Sequence, residues 1–120
     1  MHALYLGSDS GWAHAVLAKA LGVPLEAAVS ETEALFHGSG SYDLIFLDLT
    51  DLTGQSWEHT ISRLWHQDLR VVVISPQPNF REARSAMFAG AVGYSPKTDS
   101  IEDLAGEIAR AATTPAHHSR

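Results

Sequence analysis

DLIFLDLTDLTG, residues 43–54, carries the clearest fold signal in this chain. Four apolar residues, Leu44 to Leu47, run without interruption into a carboxylate, Asp48, and a second acid, Asp51, follows it closely. A continuous apolar run of this length is typical of a strand that is buried on both faces of a parallel sheet. The stretch therefore predicts a buried strand with an acid at its carboxyl end.

Short apolar runs like this one alternate along the chain with segments of helical periodicity. The other runs are Ala3–Leu6, Leu25–Val29, Val71–Ile74 and Ala91–Tyr94. Three helical stripes are Trp57/Ile61/Leu64/Trp65, Phe80/Ala83/Met87 and Ile101/Leu104/Ala105/Ile108, and we expect them to face the core. Start signals for helices are the pairs Ser30–Glu33 and Ser100–Asp103, which fit a capping box, and Pro78 in a first turn.

Five strands that are each followed by a helix predict an α/β fold. Parallel strands need such crossovers, which are right-handed, so we expect a doubly wound, five-stranded parallel sheet of the flavodoxin-like (βα)5 type. The expected strand order is 2-1-3-4-5. In such sheets a site lies beyond the carboxyl ends of the strands, beside strands 1 and 3. We expect one domain over residues 1–113 and a flexible tail over residues 114–120.

The composition argues against several kinds of partner and binding site. A net charge of −6 with only 8 Lys and Arg argues against nucleic acid as a direct partner. The absence of cysteine excludes disulfides and thiolate zinc sites. The apolar runs are too short to span a membrane and nothing resembles a signal peptide, so we expect a cytoplasmic protein.

Four polar residues stand at the ends of predicted strands: Asp9, Asp48, Ser75 and Lys97. A carboxylate nucleophile, a second acid, a hydroxyl and an ammonium are the groups that phosphoryl transfer to a carboxylate needs. An alternative for Asp48 is purely structural, because an acid that closes a strand can simply cap the next helix.

Four stretches in order resemble the receiver (CheY-like) domain of bacterial two-component response regulators. They are YDLIFLDLTDLTG at 42–54, VVVIS at 71–75, AGAVGYSPK at 89–97 and DSIEDLAGEIARAA at 99–112. The resemblance implies that Asp48 is the phosphoacceptor and that Ser75 and Lys97 assist phosphoryl transfer by binding the phosphoryl group. Tyr94 would be the aromatic residue of the switch. The resemblance also implies a signalling domain that is not an enzyme beyond self-catalysed phosphorylation and dephosphorylation.

The resemblance further implies a Mg²⁺ ion held by Asp9, Asp48 and the backbone carbonyl of Thr50. Typical receivers have two adjacent acids after strand 1, whereas this chain reads Leu6-Gly7-Ser8-Asp9. We therefore expect weak Mg²⁺ binding, because that ion demands a nearly complete octahedron of oxygens. The chain resembles an atypical receiver.

Partners follow from the same resemblance. A sensor histidine kinase or phosphotransfer protein would phosphorylate Asp48, and a downstream protein or effector domain would read the face of helix 4, strand 5 and helix 5. That face could also form a homodimer. An alternative is a degenerate receiver that acts as a phosphorylation-independent interaction module.

Two further alternatives rest on single features. Ser8, Ser10 and Gly11 also resemble the phosphate loop of flavodoxins, which would make the chain a small FMN-binding protein. His59 and His66, seven residues apart, could share a helix face, but we expect them to be solvated surface residues rather than metal ligands.

Overall fold

A five-stranded parallel sheet forms the centre of the computed structural model, which describes residues 2–28, 42–52 and 56–113. The strands are β1 (Ala3–Leu6), β2 (Leu25–Ala28), β3 (Leu44–Asp48), β4 (Val71–Ser75) and β5 (Gly93–Pro96). Their order across the sheet is β2-β1-β3-β4-β5, and every neighbouring pair is parallel. The predicted fold class and strand order are confirmed.

Helices connect these strands. They are α1 (Ser10–Trp12), a π-helical segment (Ala13–Leu17), α2 (Ala18–Leu21), α3 (Trp57–His66), α4 (Phe80–Ala89) and α5 (Ile101–Ala112). The first three are consecutive and form one helical rod after β1. The helix expected after β2, with its Ser30–Glu33 signal, and the tail at 114–120 fall outside the described residues. Within the described ranges no helix has the length and apolar character needed to cross a membrane.

Strands β1, β3 and β4 are buried on both faces, as the continuous apolar runs at β3 and β4 predict. Every residue of β3 and β4 is buried. On one face, Ile45 and Leu47 pack in a cluster that includes Ile61 and Leu64 of α3. On the other face, Phe46 packs in a cluster with apolar residues of the first helical rod and of α5, which include Leu17, Leu104 and Ile108. Burial of each such side chain contributes about 1.5–3 kcal/mol, so these two layers hold the strand ends in place.

Several predicted boundaries need correction. The fifth strand begins at Gly93, two residues later than the run from Ala91 suggests. Helix α4 begins at Phe80 with Asn79 as its N-cap, so Pro78 precedes the helix instead of forming its first turn. The cap of α5 is confirmed, because the Ser100 side chain accepts a hydrogen bond from the amide of Asp103.

The α4 stripe was predicted to face the core, and this prediction is wrong. Phe80 is 81% exposed and Met87 is 49% exposed, while the small residue Ala86 is the one that is buried. Phe88, next to Met87, is 95% exposed. Helix α4 therefore lies close to the sheet through alanine and directs its large apolar side chains outward.

Candidate functional site

The strand register brings the predicted site residues to one edge of the sheet. Leu6 pairs with Leu47, and Asp48 pairs with Ile74, so the loops after β1, β3 and β4 leave the sheet side by side. The backbone amide of Lys97 donates to the carbonyl of Ser75, which ties the end of β5 to the end of β4. Asp9, Asp48, Thr50 and Lys97 consequently meet at this edge.

Asp48 is completely buried, so its carboxylate has no surface open to solvent. Its Oδ1 accepts hydrogen bonds from the backbone amide of Thr50 at 3.0 Å and from the Thr50 hydroxyl at 2.7 Å. Its Oδ2 accepts a hydrogen bond from the Tyr5 hydroxyl at 2.6 Å and lies 3.0 Å from Lys97 Nζ. A carboxylate offers about four acceptor positions, so the protein itself fills the capacity of Asp48.

Lys97 links the two acids that the sequence singled out. Its Nζ lies 2.8 Å from Asp9 Oδ2 and 3.0 Å from Asp48 Oδ2, and it donates to the Thr50 hydroxyl at 2.7 Å. Burial opposes the charged form, but the two carboxylates outweigh it and the pKa of Lys97 lies above its ordinary value. The ammonium also lies 5.4 Å from the ring centre of Trp12, within cation–π range.

Asp9 has both a structural and an electrostatic role. Its Oδ1 caps the first helical rod by accepting a hydrogen bond from the backbone amide of Trp12 at 3.2 Å. Its Oδ2 faces Lys97, and the hydrogen bond from that ammonium, followed by the one from Trp12, lowers the pKa of Asp9. The side chain is still 44% exposed, so water screens part of its charge.

Tyr5 belongs to the site, although the sequence analysis treated it only as part of an apolar strand. Its hydroxyl donates to Asp48 and accepts a hydrogen bond from the backbone amide of Asp9 at 2.9 Å. Burial, the bond to Asp48 and the charge of that carboxylate together raise the pKa of Tyr5 far above its ordinary value. A signal was present in the sequence, since a tyrosine in a fully buried strand must find a partner for its hydroxyl.

Gly7 makes this position of Tyr5 possible. A Cβ atom at residue 7 would lie 2.7 Å from the Tyr5 hydroxyl oxygen and 2.8 Å from Asp48 Cβ. Both distances are shorter than real carbon contacts allow, so no side chain fits between these two residues while they stay where they are.

Ser75 and Tyr94 are brought together, but at Glu82 instead of Asp48. Fully buried Ser75 donates its hydroxyl proton to Glu82 Oε1, and the Tyr94 hydroxyl donates to the same oxygen at 2.6 Å. Burial and then the bond to Glu82 raise the pKa of Tyr94. Sequence reasoning missed Glu82, whose signal is the pattern Asn79-x-x-Glu82 at a helix start. Asn79 Oδ1 accepts from the Glu82 amide at 2.8 Å in that cap.

Comparison with solved structures places this arrangement in a known fold. A response regulator from Thermotoga maritima is 22% identical over 95% of this chain and 99% of that chain, with a TM-score of 0.78. A two-component response regulator from Clostridium difficile is 20% identical over 92% of this chain and 94% of its own, with a TM-score of 0.77. The chain folds as a CheY-like receiver domain. No protein-family model and no curated protein matches the sequence.

One receiver-fold relative shows the phosphorylated state. A response regulator protein from Burkholderia pseudomallei, solved with a phosphorylated aspartic acid, a calcium ion and citrate, is 25% identical over 88% of this chain. The alignment spans 65% of that protein's chain, and the TM-score is 0.72. That structure therefore contains a calcium ion together with a phosphorylated aspartate.

The residues of this receiver fold do not fit such a metal ion. Both oxygens of Asp48 accept hydrogen bonds from the protein, and one oxygen of Asp9 caps a helix. The Lys97 ammonium lies between the two carboxylates. The Thr50 carbonyl, the third expected ligand, faces the Ser8 hydroxyl at 3.5 Å. Mg²⁺ requires about six oxygens at 2.0–2.1 Å. The oxygens of the three expected ligands already have partners within the protein and do not surround one common position. In the described part of the chain there is no group of three acidic or histidine side chains that could hold a metal.

The remaining sequence alternatives gain no support from this receiver fold. The Ser8 hydroxyl donates to Asp51 Oδ2 at 3.1 Å, which places a carboxylate where a flavin phosphate would have to approach. His59 and His66 on α3 are both exposed, as expected for surface residues.

Proposed function

We propose that this chain is a receiver-like signalling domain that acts through protein contacts without phosphorylation of Asp48. The observation that carries the proposal is the closure of Asp48, which has no exposed surface and four hydrogen-bonding partners from Tyr5, Thr50 and Lys97. A phosphodonor must reach a carboxylate oxygen in line with its leaving group. Each hydrogen bond to a charged group contributes about 1.5–3 kcal/mol, so opening this centre is costly.

The residues expected to respond to a phosphoryl group are also engaged elsewhere. A hydroxyl has one proton to donate, and those of Ser75 and Tyr94 both go to Glu82. Tyr94 additionally accepts a hydrogen bond from the backbone amide of Asn79 at 3.2 Å, which ties it to the start of α4. This network holds the β4–α4 loop and β5 in one arrangement that does not depend on Asp48.

The outward face of α4 supports a role in protein contact. Phe80, Met87 and Phe88 are exposed on a helix that also presents the exposed side chains of Arg81 and Arg84. Large apolar side chains that are grouped on a surface mark interaction sites in soluble proteins.

The partner that fits this face is a second copy of the chain. Helix α5, which like α4 packs against β5, begins with partly exposed Ile101 and the exposed acids Glu102 and Asp103. In a two-fold dimer the basic and apolar surface of α4 meets the acidic start of α5 from the other copy, and both contacts form twice. Dimerisation through the α4–β5–α5 face is therefore part of the proposal.

A phosphorylation switch is the second candidate function, favoured by one observation. Lys97 lies 3.0 Å from Asp48, the relationship that phosphoryl transfer to a carboxylate requires, and a histidine kinase would then be the partner. Incubation with acetyl phosphate or phosphoramidate and Mg²⁺ separates the two candidates. We expect no mass increase in the intact protein, whereas one phosphoryl group would add about 80 Da.

Two controls make that experiment decisive. A receiver with both acids after its first strand, incubated in the same way, shows that the phosphodonor is active. Asp48→Asn shows whether any added mass depends on Asp48. Mass gained by the natural chain and lost in Asp48→Asn would overturn the proposal and establish the switch.

A further inference from the structure

The Lys97 ammonium occupies the position between two carboxylates that a bridging cation would take. Its distances of 2.8 Å to Asp9 and 3.0 Å to Asp48 are those of direct ion pairs, and its third contact is the Thr50 hydroxyl at 2.7 Å. An ammonium has three protons, and three oxygens receive them here. The side chain is only 10% exposed, so the contacts form largely out of water.

Tyr5 and Gly7 close the other side of the same centre. The Tyr5 hydroxyl reaches Asp48 Oδ2 through the space in which a side chain at residue 7 would have to lie. The group beside Asp48 at the end of β1 is therefore the neutral Tyr5 hydroxyl. A carboxylate at the same place would instead attract a metal ion. The centre contains two acids and one ammonium, and solvent screens the outer acid, Asp9.

We propose that the Lys97 ammonium, supported by the Tyr5 hydroxyl, is the resident cation of this centre, which is complete without a divalent metal ion. The inference rests on the proposed function, because it states how Asp48 is kept closed. It also predicts a latent metal site. With the ammonium removed, Asp9 and Asp48 are two neighbouring carboxylates without a countercharge, and a divalent cation can bridge them.

The two lysines of the chain provide a matched pair of variants. Lys97→Ala removes the ammonium from the centre, and Lys19→Ala makes the same charge change at an exposed position of α2. The probe is Mn²⁺, and electron paramagnetic resonance measures the concentration of the free ion. We expect no saturable binding at millimolar Mn²⁺ in the natural chain or in Lys19→Ala. We expect one bound equivalent in Lys97→Ala, with an affinity about ten-fold or more above the upper limit that the natural chain sets.

A third variant tests whether the new site is the predicted one. Adding Asp9→Asn to Lys97→Ala removes one of the two carboxylates and should abolish the gained binding. Binding of Mn²⁺ to the natural chain as tightly as to Lys97→Ala would overturn the inference.

A measurement on the natural chain alone keeps the inference testable if Lys97→Ala does not fold. A ligand that binds the folded state raises the melting temperature by mass action. We expect the melting temperature to be the same with millimolar Mg²⁺ as with a chelator, and a clear rise with Mg²⁺ would overturn the inference. These outcomes are independent of phosphate uptake. Phosphorylation without metal would contradict the proposed function only, and tight metal binding without phosphorylation would contradict this inference only.

Discussion

The hydroxyl of Tyr5 donates a 2.6 Å hydrogen bond to Asp48, although the two residues lie 43 positions apart on neighbouring strands. The contact joins a residue of β1 to the last residue of β3, at the edge where the sequence predicts a phosphoacceptor. It also supplies the buried Asp48 carboxylate with a hydrogen-bond donor from within the protein. The stability of the chain and the ionisation of Tyr5 are both expected to depend on that hydrogen bond.

Replacing Tyr5 with phenylalanine should destabilise the chain by about 1.5–3 kcal/mol, the usual contribution of a hydrogen bond to a charged group. The ring keeps its packing, while Asp48 Oδ2 loses a donor inside the protein. Urea unfolding measures the difference in free energy. The matched control is Tyr42→Phe, whose hydroxyl donates at 2.9 Å to the exposed residue Glu26 and should cost less. Equal losses in both variants would show that Tyr5 contributes nothing particular to the centre.

Replacing Gly7 with alanine should destabilise the chain by about 1–3 kcal/mol through overpacking. The new Cβ would meet the Tyr5 hydroxyl at 2.7 Å, so the loss should be smaller when Tyr5 is already phenylalanine. Gly106→Ala is the control, because nothing lies within 4 Å of a Cβ there. That residue lies inside helix α5, where alanine should stabilise by about 0.5–1 kcal/mol. Thermal unfolding of the natural chain, Gly7→Ala, Tyr5→Phe, the double variant and Gly106→Ala tests the pattern, and a tolerated Gly7→Ala would contradict it.

All three tyrosines should resist ionisation, because each donates its hydroxyl proton to a carboxylate. Burial and then the bond to Glu26 raise the pKa of Tyr42 to about 12, and the pKa values of Tyr5 and Tyr94 are also raised. A raised folded-state pKa contributes stability that is fully present below the unfolded value of 10.0 and is lost as the pH rises through the folded value.

A spectrophotometric titration of the phenolate absorbance measures this directly. We expect little phenolate at pH 10 in the folded chain and a cooperative rise at higher pH, when the chain unfolds. A smooth titration of any tyrosine with a midpoint at its ordinary pKa, in protein that circular dichroism shows to be folded, would contradict the hydrogen bonds to Asp48, Glu26 and Glu82.

Replacing Phe88 with glutamate should convert a dimer into a monomer, because the new charge would be buried at the proposed α4–β5–α5 contact. Phe88 is 95% exposed, so the change should leave the stability of the single chain nearly unaltered. Light scattering during size-exclusion chromatography compares the mass with the 13.0 kDa of one chain. His59→Glu adds a charge on α3 as the control. A natural chain that stays monomeric at high concentration would exclude self-association through this face.

The sequence by itself determined the architecture and the meeting of Asp48 with Lys97 in the site. Continuous apolar runs predict strands buried on both faces, and the alternation with helices indicates a parallel sheet. The structure confirms the flavodoxin-like strand order expected for it. The meeting of Asp48 with Lys97 follows from the same pattern, because the carboxyl ends of parallel strands share one edge. These features depend on periodicity and chain order, which are local and can be read directly.

Only the tertiary structure decided what surrounds Asp48 and which face of α4 meets the sheet. Tyr5 and Glu82 reach their partners through layer packing, and a pattern of apolar and polar residues does not specify where a hydroxyl or carboxylate at the end of a side chain will point. Periodicity identified an apolar stripe on α4, but the closest approach of the helix to the sheet is set by the small residue Ala86. Phe80 and Phe88 are consequently directed outward, because side-chain volume at the contact, rather than hydrophobicity alone, selects the face that packs.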